Sequence, residues 1–168
     1  MSLCYQRRML SALLLVPHGS PPNATAQVVR SLAALVPLVV EGLVRDVILM
    51  GPAAAVWHGI ADHGGCRLAG SMPQALVLAR GPWVFVLQAG FAPDAGFAEE
   101  AADFMASGTG AALLRAQPTG FFTRLFPDSA ALAGIILNVR GQTGTGLADL
   151  AKRAAPRHTM AARARRVG

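Results

Sequence analysis

His18, Ser20, Asp62 and His63 supply the residue types of a nucleophilic device. Such a device works only if the fold converges hydroxyl, imidazole and carboxylate, and nothing in this spacing does so. Ser20 lies in Pro17-His18-Gly19-Ser20-Pro21-Pro22-Asn23 and reads as a turn or capping residue. His58 and His63 are five apart, not the i, i+4 pair of a metal-binding helix, so each is expected to be a partly exposed structural residue. Cys4 and Cys66 are too few and too far apart for a metal knuckle or redox pair. They support no disulfide framework either, so a reducing compartment is expected. Gly141-Gln142-Thr143-Gly144-Thr145-Gly146 is rich in glycine, but no Gly-Lys-Ser/Thr follows, so it is no phosphate-binding loop.

The elements that must position these residues alternate. Leu10 to Val16 reads as a buried strand, and Thr25 as the cap of a helix running to about Leu43. Val28, Leu32, Leu35, Val36 and Val39 fall at helical spacing on it, and Pro37 is expected to end or kink it. Asp46 to Met50 reads as a strand closed by Gly51-Pro52, and Ala53 to His63 as a short helix ended by Gly64-Gly65. Then come a short strand at Cys66 to Ala69, a helix at Gln74 to Arg80, and a fully apolar strand at Trp83 to Leu87. Phe97 to Ser107 suits a helix, Ala111 to Ala116 a strand, and Leu147 to Ala155 a helix. Trp57, Met72-Pro73 and Trp83 read as packing. Strands alternating with helices imply an α/β fold with an open, mainly parallel sheet and flanking helices. Ligands of such sheets sit at the carboxyl ends of the strands. Those ends here are residues 17–23, 51–54 and 88–91.

The chain has 168 residues, enough for one domain with a sizeable core. It is 53% hydrophobic and 14% charged, with a mean hydropathy of +0.43. That composition excludes disorder and leaves few side chains to solvate the surface. Arg7, Arg8, the apolar run Met9 to Val16 and Ala24-Thr25-Ala26 imitate an export signal. The polar turn before Ala24 spoils the imitation, and a first strand kept in a cytoplasmic protein is the expectation. No stretch reaches the roughly 20 apolar residues of a membrane-spanning helix. Net charge is +6, and Lys152, Arg153, Arg157, Arg163, Arg165 and Arg166 are six of the 15 basic residues. Such a run reads first as a solvated tail and second as a contact for a polyanion: an acidic protein or the anionic inner face of a membrane. No nucleic-acid motif accompanies it.

Three segments in order resemble the family-2 glycosyltransferases with the GT-A fold. Met9-Leu10-Ser11-Ala12-Leu13-Leu14-Leu15-Val16-Pro17 resembles their opening strand. Ser31-Leu32-Ala33-Ala34-Leu35-Val36-Pro37 with Gly42-Leu43-Val44-Arg45-Asp46-Val47-Ile48 resembles their first helix and second strand. Ala79-Arg80-Gly81-Pro82-Trp83-Val84-Phe85-Val86-Leu87 resembles the helix end and fourth strand that deliver their metal motif. Ile60-Ala61-Asp62 and Pro93-Asp94 fit the same register. The likeness covers about Met9 to Met105, with an echo at Leu147 to Arg153. It implies an N-terminal extension at 1–8, a shortened nucleotide-sugar-binding domain at 9–140, and a Gly-rich loop, short helix and basic tail at 141–168.

The resemblance also implies where chemistry is missing. Family members hold Mg²⁺ or Mn²⁺ with an Asp-x-Asp after the fourth strand, whose oxygens bridge metal and diphosphate. Gln88-Ala89-Gly90 stands there. Gly51-Pro52-Ala53 replaces the Asp beside the donor nucleoside, and Gly144-Thr145-Gly146 falls where the catalytic base is carried. Losing all three removes metal binding, donor binding and general-base catalysis together. The expectation is a glycosyltransferase-like protein without catalytic residues, metal or cofactor, acting as an interaction or assembly subunit. Its partner would be another protein or a second copy. Phe121, Phe122, Leu125 and Phe126 are the expected partner surface, beside an acceptor segment missing after Arg140. The alternative is an active transferase by a metal-independent route, with His18, Asp94 or Glu99 recruited.

Overall fold

A computed structural model describes residues 9–16, 23–51, 55–107, 110–118, 131–139, 147–154 and 158–167. Its centre is β1 (Leu10–Leu15), whose first five residues are buried. Alternation divides them: Leu10, Ala12 and Leu14 join one core and Leu13 the other, one on each side of the sheet. A strand covered on both faces reads as a continuous apolar run, and that is why this one does.

β1 lies between two parallel partners, β2 (Val44–Met50) and β4 (Trp83–Gln88). Leu13 sits opposite Ile48, and Ala12 opposite Phe85. β3 (Arg67–Ala69) extends the parallel half beyond β2. The other half comprises β5 (Phe91–Pro93), β6 (Ala111–Ala116), β7 (Leu132–Asn138) and β8 (His158–Arg166). The complete order is β3-β2-β1-β4-β7-β6-β8-β5. β7 runs antiparallel to both β4 and β6, and β5 antiparallel to β8. The sheet is therefore mixed, where a mainly parallel one was expected. Parallel pairing runs from β3 through β4, where helices supply the crossovers, and recurs between β6 and β8.

The helices are α1 (Ala24–Val40), α2 (Ala55–Gly64), α3 (Met72–Leu78), α4 (Phe97–Ser107) and α5 (Leu147–Arg153). Buried residues of α1, α2 and α4, among them Leu35, Trp57 and Phe97, pack on one face. Those of α3 and α5, Met72, Ala75, Leu147 and Leu150, pack on the other. The result is an α/β sandwich of three layers. Among the described residues, no helix is long and apolar enough to cross a membrane.

Several local expectations need correction. α1 starts one residue before Thr25, with Asn23 as its N-cap. Its buried stripe is Ala24, Val28, Ser31, Leu35 and Leu38, whereas Val36 and Val39 stand one step round the helix and face solvent. Pro37 does not end α1. Leu38 is anchored in the core, and the Glu41, Gly42 and Leu43 N–H groups donate to the Pro37, Val39 and Leu38 carbonyls. These contacts offset the bond that proline removes. The largest correction is β8: His158–Arg166 is an interior strand of the sheet, not a solvated tail.

At the edge away from the carboxyl ends, fully buried Ser11 ties three segments together. Its hydroxyl donates to Asp46 Oδ1 (2.6 Å) and accepts from the N–H groups of Arg80 (2.9 Å) and Gly81 (2.8 Å). Asp46 Oδ2 pairs in turn with Arg67. This network fixes β1, β2, β3 and the entry to β4, and so the common level at which the parallel strands end.

Candidate functional site

The carboxyl ends of β1, β2 and β4 meet at Leu15, Met50 and Gln88, which are in register. Gly51 follows β2, and a Cβ there would lie 2.8 Å from Val16 Cβ. Close approach of the two chain ends thus demands glycine where the resemblance placed a donor-binding acid. Pro52 and Ala53 lie outside the described residues, as do Cys4, His18, Ser20 and residues 144–146.

The Gln88-Ala89-Gly90 position is a built turn. Gln88 is exposed at the end of β4, and the Ala89 N–H donates to Leu15 O (2.9 Å). Gly90 takes φ +92°, a conformation that side-chain-bearing residues rarely adopt. Its N–H donates to Ser31 Oγ (3.0 Å), and the fully buried Ser31 hydroxyl donates to Phe91 O (2.8 Å). Val167 N–H closes the turn on Gly90 O (2.9 Å). The turn thus fastens β4 to α1 and to the end of β8. Its side chains offer one amide.

The carboxylates nearest in sequence serve β8. Glu100 accepts from the N–H groups of Ala161 and Ala162, one on each oxygen, both at 2.7 Å. His158 Nε2 lies 3.5 Å from the same carboxylate and its ring stacks on Phe104. Asp94 Oδ2 accepts from the Arg163 N–H (2.8 Å), and Asp94 N–H donates to Arg163 O (2.8 Å). Register against β6 slips between Leu113 and Arg115, and these side chains bind the N–H groups of the β8 residues at that irregularity. Asp94 Oδ1 and Arg163 Nη1 are buried without a partner among the described residues. Glu99 is exposed on α4.

The other candidates are not brought together. His58, Asp62 and His63 are exposed on α2, and His63 Nδ1 lies 2.7 Å from Gly59 O. Burial pushes the Cys66 thiol up from its ordinary pKa, which keeps it protonated at neutral pH. Among the described residues, no three His, Cys, Asp or Glu gather as a metal would require. Phe121, Phe122, Leu125 and Phe126 lie outside the described residues, as does Arg157. The remaining basic residues divide. Lys152 and Arg153 end α5 on one side of the sheet, with Arg153 paired to Asp149 (3.0 Å). Arg165 and Arg166 line a cleft against α1 on the other. Sequence reasoning missed Arg30, which lines the same cleft, and Ser31. Ser31 carried one available signal, a polar residue at a core position of an amphipathic helix.

No protein-family model matches the chain, and no curated protein matches it.

Proposed function

We propose that this protein is a non-catalytic relative of the family-2 glycosyltransferases, working as an interaction or assembly subunit. One observation carries the reading: the backbone of the turn at the end of β4 is engaged in structure and the turn offers no carboxylate. Its Ala89 and Gly90 N–H groups bind Leu15 and Ser31, and its one polar side chain, that of Gln88, is an exposed amide. The three segments that carry the resemblance support the ancestry, since they fall on β1, on α1 with β2, and on β4, with β1 between its parallel partners. A metal-independent transferase finds less support. Asp94 is tied to the β8 backbone, and Glu99 stands on an exposed helix face. For association, α1 leaves Val29, Val36, Val39 and Val40 at 48%, 56%, 43% and 81% exposure. Burying such surface favours docking by about 25 cal/mol per Å² before association entropy is subtracted.

Two readouts on one preparation test the reading. Nucleoside diphosphate released from a panel of nucleotide-sugars, with and without Mn²⁺, should not exceed the protein-free control. Light scattering at micromolar concentration should give a mass above the 17.4 kDa of one chain, alone or after mixing with native extract. Mn²⁺-stimulated release overturns the non-catalytic assignment. A 17.4 kDa species under every condition overturns the assembly role.

A further inference from the structure

α1 is apolar on two sides. One stripe, Ala24, Val28, Ser31, Leu35 and Leu38, faces the sheet. Ala26, Val29, Ala33, Val36 and Val40 form a second, in alternating steps of 3 and 4 residues, and all five are exposed. Steps of that kind trace the seam that a second helix covers in a coiled coil. The other two helices on this side of the sheet are polar outside. α2 exposes His58, Asp62 and His63, and α4 exposes Glu99 and Asp103. Valine is also a poorer helix former than the charged residues that suit a solvated face. Only α1 therefore carries an outer face that water alone does not explain.

The charges beside the seam say what covers it. Arg30 and Glu41 are the charged residues of α1 and its C-cap. Eleven residues make about three helical turns, so both stand on one flank of the seam. They are roughly 16 Å apart along the axis at 1.5 Å per residue, too far to pair with each other. Among the described residues neither has an ion pair. A twofold axis that sets two such helices antiparallel keeps this flank on one side and reverses its direction. Arg30 of each copy then lies beside Glu41 of the other. A parallel pair would put the two flanks on opposite sides and leave all four charges unmatched.

We propose that α1 docks antiparallel on α1 of a second copy of this chain, Ala33 opposite Val36 and Val29 opposite Val40. In that register Arg30 and the other copy's Glu41 are level to within two residues, about 3 Å along the axis. Ala26 and Ala33 are small and let the two backbones approach closely. Such a contact uses the same patch on both chains, so assembly closes at a dimer. The inference rests on the assembly reading above and gives it a partner and a surface.

Sedimentation velocity of the purified chain across the micromolar range is the test. A reversible shift from 17.4 kDa to twice that mass is expected. One helix from each chain makes a small interface, which fits micromolar dissociation. V36R sets a charge against Ala33 of the other copy, twice per dimer, and should weaken association about a hundredfold or more. V77R makes the same change on α3, at an exposed position on the other side of the sheet, and should matter less than twofold. R30E and E41R each bring like charges together and should each weaken the dimer about tenfold. Mixing R30E with E41R should restore wild-type affinity, because every flank charge then meets its opposite. All these substitutions fall on exposed side chains, and unchanged thermal melts will show that the fold is kept. A dimer that V36R leaves intact, or a mixture that stays as weak as its parts, overturns the assignment. A chain that stays at 17.4 kDa alone but gains mass in native extract also overturns it, while the assembly reading stands. A chain that gains mass in neither overturns both.

Discussion

Removing the Ser31 hydroxyl should loosen the turn that ends β4 and free the edge strand β5. Gly90 and Asp94 exchange backbone bonds with β8 through Val167 and Arg163, and Ala92 between them pairs with Arg165. Bonded and non-bonded positions alternate in an antiparallel pair, so Phe91 turns its carbonyl away from β8. There it meets Ser31 Oγ at 2.8 Å. Ser31→Ala leaves that carbonyl without its donor and the Gly90 N–H without its acceptor. A buried unsatisfied group costs about 1–3 kcal/mol, whereas one that water reaches costs about 0–1 kcal/mol. Phe91 is buried and Gly90 half-buried, so the sum is about 1–4 kcal/mol, with a midpoint of about 2.5 kcal/mol. For a chain of this size that corresponds to a Tm lower by about 5–10 °C. Urea unfolding at unchanged slope measures the loss, and hydrogen exchange at Gly90 reports whether the turn itself has opened. Ser107→Ala is the control: its hydroxyl donates to Phe104 O on an exposed helix end and should matter by less than about 0.5 kcal/mol. A Ser31→Ala loss no larger than the control's, or an unchanged Gly90 exchange rate, refutes the reasoning.

Gly90→Asp introduces a carboxylate into the turn but places it at φ +92°, beside the Gln27 side chain at 3.5 Å. It should destabilise by about 1–2 kcal/mol and give no Mn²⁺ binding by calorimetry; micromolar affinity would show that one carboxylate suffices for a metal site at this turn. Burial disfavours the Cys66 thiolate and raises its pKa above that of a free thiol. In a Cys4→Ser background, iodoacetamide labelling should therefore have its midpoint at higher pH in the folded chain than in the chain unfolded in urea. The same shift has a sign for stability: the folded state keeps a proton the unfolded state releases, so the contribution is full below the unfolded pKa and is lost as pH rises through the folded one. Cys66→Ala should flatten that alkaline decline.

What was legible in the sequence depended on how local the stabilising contacts are. β1 and β4 announce themselves as apolar runs because both faces of each are covered. α4 and β6 begin and end where expected, at Phe97–Ser107 and Ala111–Ala116, because each pattern is closed by its own neighbours. β8 was hidden. Met160, Ala162 and Ala164 do alternate inward, but alanine is a poor strand former and the intervening arginines suggested a tail. The side chains that hold it, Glu100 and Asp94, lie more than 60 residues earlier. No window along the chain contains both partners. β5 was missed for a similar reason, as three residues whose pairing is made by β8. Within the site, Gln88 and Gly51 were legible as residue types, while Ser31 meets Gly90 and Phe91 only through the packing of α1 on β5.

These contacts also explain why a strand-end position that could hold metal ligands is instead a structural turn. The chain must leave β4, reverse, and enter β5 at the far edge of a sheet whose next strand is β8. A left-handed residue at Gly90 makes the reversal, Ser31 satisfies the polar groups exposed by it, and Val167 fastens the end of β8 to the same carbonyl. A carboxylate at Gly90 would introduce a side chain where the backbone needs none. The carboxylates of Asp94 and Glu100, which follow the turn in the chain, bind backbone N–H groups of β8. The acids beside the turn thus hold β8, as the turn itself joins β4 to α1 and to the end of β8.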